Sequence, residues 1–198
     1  AIADALYAGY ATTSKNPLPP VYLGYNDDVE DYEYNPEKAK ELLAEAGYPD
    51  GFDIELVMSP TSRPYMPDPK TVAEIVQNNL AEIGINVTIS SHEWAPYLEL
   101  TQNGETELFI LGWSGTNGDP DYFLSSLLHS SNKGSSNYTY YENPEVDDLL
   151  DRAKRAVDQD ERADLYSQAL EIINEDSPMV TLVHSTPVLA ISDNVINY

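Results

Sequence analysis

Arg63 is the side chain best placed to do chemistry with an anion. The chain carries 34 Asp and Glu against 10 Lys and Arg, a formal net charge of -24. An arginine's planar fork offers paired N–H donors that match a carboxylate. The competing reading of Arg63 is a surface ion pair with a local acid such as Asp68. Tyr65 could hydrogen-bond a ligand backbone, or pack in the core or at a rim. The second such place is the run Gly112-Trp113-Ser114-Gly115-Thr116-Asn117-Gly118-Asp119-Pro120. Gly115 and Gly118 allow close backbone approach, and free N–H and C=O groups there could pair with an extended ligand like an added strand. Trp113 offers a flat apolar wall or a core filler. Asn117 or Asp119 reads equally as a helix cap before Pro120. Trp94 and Tyr97 fall either to the same cleft or to packing.

Other chemistries lack their spacing. His92, His129 and His184 form no H-x-x-x-H pair and read as structural or solvated, so no metal is expected. The paired acids Asp27-Asp28 and Asp147-Asp148 lack the spaced loop of a calcium site. Gly112-Trp113-Ser114-Gly115 misses the G-x-S-x-G spacing of a hydrolase elbow, and no phosphate loop or dinucleotide fingerprint occurs. The absence of cysteine removes disulfides, thiolate metal sites and thiol nucleophiles. No cofactor is expected, and no enzymatic activity. The acidic surface disfavours nucleic acid and anionic lipid as partners. Spread along the chain, the acids read as adaptation to a saline or alkaline habitat, or as a field for cationic ligands. No apolar run is long enough to span a membrane.

The elements that must position these residues alternate between helix and strand. The chain starts inside a helical pattern (AIADALYAGYA), as an excised piece would. Residues 12 to 34, with Pro17, Pro19 and Pro20, read as an extended surface segment. Asn35-Pro36 opens a helix that Gly47 closes. Phe52 to Met58 alternates like a strand. Thr71 to Ile83 carries an apolar stripe at helical spacing. Ile85 to Ile89 is a second strand, Trp94 to Thr101 a short helix, and Leu108 to Leu111 a buried strand. Helices follow over Pro144 to Val157 and Glu161 to Asn174. Short strands close the chain around Met179 to Val183 and Val188 to Ile191. The class is α/β, with residues 1–198 as a single domain.

Four strings, in order, carry a resemblance: GYNDDVEDYEYNPEKAKELLAEAGYPDGF (24–52), SRPYMPDPKTVAEIVQNNLAEIGINVTI (62–89), LGWSGTNGDPDYFLSSLL (111–128) and SPMVTLVHST (177–186). Together they resemble the dipeptide- and oligopeptide-binding proteins of ABC importers, solute-binding protein family 5. RPY and GW-x-G-x-NGDPD place the likeness nearest the dipeptide branch. The resemblance implies the later lobe of a two-lobe, type II periplasmic-binding-protein-like fold, a mixed sheet flanked by helices, with the first lobe absent from this chain. It further implies an extracytoplasmic receptor, periplasmic or lipid-anchored at the outer face of the membrane. Such a receptor encloses a short peptide between its lobes and delivers it to a membrane permease, and a monomer is the default expectation for this chain. Oligosaccharides, opines or nickel complexes are the alternative ligands, and a stand-alone interaction domain is a further class.

By resemblance, Arg63 is the arginine that binds the ligand carboxylate. The family places an aspartate for the ligand ammonium at the position after GW-x-G, and here that position is Thr116. A hydroxyl falls short of a carboxylate by about 1–3 kcal/mol in this role. Three explanations compete: Asp119 takes over, the first lobe supplies the acid, or the ligand lacks a free amine. Trp113, Ser114, Gly115, Thr116, Asn117, Gly118 and Asp119 complete the expected ligand contacts with Arg63 and Tyr65.

Overall fold

The structure is a computed structural model that describes residues 2–186 together with 188, 191, 192 and 194. The first helix, α1, covers only Ile2–Leu6. Positive φ angles at Ala8 and Gly9 end the helical path, and the chain turns into β1 (Ala11–Thr13). After the irregular segment that follows come α2 (Pro36–Glu45), β2 (Phe52–Met58), α3 (Pro69–Ala81), β3 (Ile85–Ser91), α4 (Trp94–Gln102) and β4 (Leu108–Phe109). Then come α5 (Asp121–Leu128), a single 3-10 turn at Ser130–Asn132, α6 (Pro144–Arg155), α7 (Gln159–Asp176) and β5 (Val183–Ser185).

Local chemistry sets several of these boundaries. Asn35, Asp68 and Asn143 each accept a hydrogen bond from a first-turn N–H, and each precedes a proline at the first helical position. Asp158 caps α7 in the same way, through the N–H groups of Asp160 and Glu161. α3 therefore starts two residues before the expected Thr71, at the Asp68 cap.

The strands divide between two sheets. β3, β2 and β4 are parallel, in that order, with β2 central. β1 and β5 form a separate antiparallel pair, registered Ala11↔Ser185 and Thr13↔Val183. That pairing, with Thr186 N–H donating to Tyr10 C=O, puts the last described strand at Val183–Ser185 rather than Met179 to Val183. The strand expected over Val188 to Ile191 lies partly outside the described residues. β4 is shorter than the expected Leu108 to Leu111 and is half-buried, because it is hydrogen-bonded to β2 alone.

Two apolar clusters result. One joins Leu56, Met58, Ala73, Ile85 and Val87 of the parallel sheet and α3. The other gathers Phe123, Leu124 and Leu128 of α5 with Val146, Leu150 and Ala153 of α6 and Leu165, Tyr166 and Leu170 of α7. Residues 12 to 34 are extended but not wholly superficial. Leu18 and Val29 enter the second cluster, and buried Asn16 and Asn26 hydrogen-bond within the segment.

His184 on β5 meets Ser14 Oγ at 2.8 Å. Burial holds its pKa below the ordinary value, against a weaker opposing effect of a backbone bond at Asn16. A depressed folded pKa means that stability is complete above the unfolded value of 6.5 and is lost as pH falls from there towards the folded pKa. The melting temperature is expected to drop between about pH 7 and 5.5, less steeply in His184→Asn than in the wild type. Equal slopes in paired calorimetric scans would refute this role.

Candidate functional site

Because β2, β3 and β4 run parallel, their carboxyl ends open on one edge of the sheet, where open α/β folds hold ligands. Ser59 follows β2, Trp94 opens the helix after β3, and Ile110 and Leu111 follow β4. These residues line one small pocket together with Arg63, Tyr65 and Tyr97. A tight turn delivers Arg63 to it: Arg63 and Met66 exchange both backbone hydrogen bonds at 2.9 Å, across Pro64 and Tyr65. Buried Met66 anchors the turn.

Arg63 does not pair with Asp68, whose carboxylate is engaged by Thr71 at the start of α3. Its guanidinium instead lies over the Trp94 ring, 3.7 Å from the ring centroid, an attraction of about 0.5–2 kcal/mol. Its Nε is buried without a hydrogen-bond partner, as is the hydroxyl of Ser59. Each of the other nine Lys and Arg side chains pairs with a carboxylate. Among the described residues, Arg63 is thus the cation left without an acid, in a chain with a large excess of them.

Aromatic side chains frame the arginine. Tyr97 is fully buried and donates to Ile110 C=O at 2.7 Å. Burial, then its neighbours Tyr65 and Tyr138, push its pKa well up, so it stays a neutral donor. Tyr65 lies against Gly112, where an added Cβ would come within 2.1 Å of the ring, and its C=O accepts from Tyr7 Oη at 2.8 Å. Burial raises the Tyr65 pKa, and the Arg63 charge opposes that rise. Trp94 and Tyr97 therefore belong to the cleft.

The Gly112 to Pro120 loop divides its labour. Ser114, Thr116, Asn117 and Gly118 are exposed. Trp113 packs against the helical cluster and donates Nε1–H to Tyr122 C=O at 3.0 Å. The space beside Gly115 is filled by Tyr22 and Phe123, so this glycine admits the protein's own side chains rather than a ligand. Gly118 has φ +70° with nothing near its missing Cβ. Asn117 Oδ1 accepts from Asp119 N–H. Asp119 Oδ1 accepts from Asp121 N–H at 2.9 Å and from Arg162 at 2.8 Å. Burial acts to raise the Asp119 pKa, but the Arg162 and Asp121 hydrogen bonds and the Arg162 and Lys154 charges outweigh it and hold the pKa low. Asp119 is thus both cap and ion-pair partner. Arg162 lies 43 residues away, where no local pattern announces it. Ser59 carries a local signal, as a small polar residue that ends the apolar alternation of β2.

Among the described residues, no group of three or more His, Cys, Asp or Glu side chains could hold a metal ion, and no helix is long and apolar enough to cross a membrane. Comparison with known proteins gives a consistent result. The model of "Bacterial extracellular solute-binding proteins, family 5 Middle" matches residues 1–135. Heme-binding protein A of Haemophilus influenzae is 46% identical over 198 residues, all of this chain and 36% of that protein. The dipeptide-binding protein of Escherichia coli is 40% identical over 187 residues, 94% of this chain and 35% of that protein. The solved structure of HbpA2 from Haemophilus parasuis superposes with a TM-score of 0.91 at 43% identity, covering 93% of this chain and 36% of that one. The chain spans about a third of the length of the curated relatives it matches. The ordered motifs, the α/β architecture and these matches agree: the chain belongs to the bacterial extracellular solute-binding proteins of family 5.

Proposed function

We propose that this chain is the later lobe of a two-lobe, extracytoplasmic receptor of an ABC importer, and that it binds short peptides through their C-terminal carboxylate at Arg63. The observation that carries the reading is Arg63 itself, an unpaired cation clamped on Trp94 at the carboxyl edge of a parallel sheet. A cation half-withdrawn from water needs a counter-charge, and a bidentate carboxylate supplies it. Similar proteins include dipeptide- and di/tripeptide-binding proteins, and one related structure holds the peptide STSA. Nothing in this reading calls for turnover. The receptor binds, closes and hands its ligand to a permease.

The other end of the ligand constrains the class. Thr116 is neutral and Asp119 is held by Arg162, so the Leu111 to Pro120 loop offers no unengaged carboxylate to an ammonium group. That favours an acid from the first lobe, or a ligand without a free amine, over Asp119. A second reading, a tetrapyrrole held by its propionates, draws on the 46% identity to a heme-binding protein, and Arg63 serves it equally well.

The deciding experiment is calorimetric titration of the two-lobe receptor with free dipeptides, N-acetyl dipeptides, dipeptide amides, hemin and short oligosaccharides. Free dipeptides should bind without product formation, and amides should bind far more weakly. Binding of hemin or sugars alone would overturn the peptide reading.

A further inference from the structure

The Arg63 pocket contains two donors that the protein does not use. The Ser59 hydroxyl and Arg63 Nε are both buried and both lack a partner. Ser59 is only 6% exposed, so bulk solvent does not bathe its hydroxyl. An unpaired buried polar group carries a desolvation penalty that native proteins normally avoid. Here two such groups line the same cavity, whose volume is about 10 Å3. That is room for roughly one oxygen-sized atom. The cavity walls, Met66, Pro69, Ile110 and Leu111 among them, are otherwise mostly apolar. The guanidinium face is committed to Trp94, so its in-plane N–H groups are what it presents to a ligand.

We propose that Ser59 is a further ligand-binding residue. Its hydroxyl and Arg63 Nε–H together form a subsite for a single oxygen of the incoming carboxylate, while the remaining guanidinium N–H groups take the other oxygen. The proposal rests on the peptide-carboxylate reading above and extends it. It explains why a serine stands at the end of an apolar strand. The hydroxyl and Nε stay unpaired until the ligand arrives, so their penalty falls on the free state and is relieved on binding. Filling both positions selects a carboxylate over a terminal amide, because an amide can place its one oxygen at Ser59 and Nε–H only by turning its NH2 towards the remaining guanidinium donors.

Titration of the two-lobe receptor with Ala-Phe and its C-terminal amide, in wild type and Ser59→Ala, tests this. Loss of a hydrogen bond to a charged group should weaken Ala-Phe about ten-fold, and the amide, which offers only a neutral oxygen, by clearly less. The melting temperature of unliganded Ser59→Ala should not fall, since the hydroxyl has no partner to lose. Ala-Phe binding within two-fold of wild type would overturn the Ser59 role and leave the peptide reading standing. If the wild type fails to bind Ala-Phe, the peptide reading fails by itself, and an acetate titration decides the subsite. Acetate should then shift the Arg63 Nε–H resonance, identified by its absence in Arg63→Lys, in wild type but not in Ser59→Ala. No shift in the wild type would overturn the subsite.

Discussion

Replacing Arg63 with alanine is expected to weaken binding of a free dipeptide about a hundred-fold or more, the usual result when one partner of a hydrogen-bonded charge pair is truncated. The loss has two parts. The ligand carboxylate would enter a largely apolar cavity with no counter-charge, and Trp94 would lose the cation seated on its ring. Arg63→Lys separates them. It restores charge but not the planar fork or the Nε donor, so affinity should recover only in part. N-terminal modification of the ligand should leave the size of the Arg63 effect unaltered, because the two ends of the peptide meet different groups. Calorimetry on the two-lobe receptor reads all three comparisons. An Arg63→Ala receptor that binds dipeptide as the wild type does would remove the central support for the proposed function.

The largest stability effect should come from the opposite edge of the sheet. Gly51 has φ +74°, and a Cβ built on it would lie 1.9 Å from Gly84 C=O and 2.4 Å from the Gly84 carbonyl carbon. Both atoms are backbone, so no side chain can swing aside. Gly51 precedes β2 and Gly84 precedes β3, and the next residues, Phe52 and Ile85, are register partners. A methyl group would therefore wedge apart the first rung of the central strand pair. Gly51→Ala should cost about 3 kcal/mol or more, from overpacking together with left-handed strain. Gly47→Ala is the control. Its φ of +92° carries the strain, but no atom lies within 4 Å of the added Cβ. It should cost only about 1–2 kcal/mol. Urea unfolding of the pair measures the difference, and equal losses would show that the close approach to Gly84 is not a packing constraint. Ligand affinity well below the transition should be the same in both, because the pocket lies at the other ends of the strands.

Much of this architecture is legible in the sequence because its signals are local. Phe52 to Met58 alternates and forms β2 over those same residues. Cap–proline pairs mark α2 and α6 where they begin, and the same signal at Asp68-Pro69 marks α3. Structure departs from local pattern where partners are distant. The length of β1 depends on β5, some 170 residues away. Leu108 to Leu111 is uniformly apolar, yet only Leu108 and Phe109 are register partners of β2, and the Ile110 C=O accepts from the distant Tyr97 hydroxyl instead. Proline content correctly forbids a helix across residues 12 to 34 but says nothing of which residues are covered, and Leu18 and Val29 turn inward. At the site, the type of Arg63 and its place after a strand were readable. The stacking on Trp94, the unpaired Nε and the capture of Asp119 by Arg162 are three-dimensional facts with no one-dimensional trace.

The segment from Ile110 to Gly115 passes from one apolar cluster to the other. Ile110 packs with the strand cluster, Trp113 with the helical cluster, and Gly115 sits beneath Tyr22 and Phe123. Gln102 at the end of α4, hydrogen-bonded to Ser135 and Tyr140, makes a second link between the two sides, and the clusters between these links are natural units of sub-global unfolding. The segment is the splice between them, and one of its residues, Leu111, also walls the Arg63 pocket. A solute that immobilises this stretch is therefore expected to make unfolding of the two clusters more cooperative, read as slower amide exchange in α6 and α7, which line no part of the pocket.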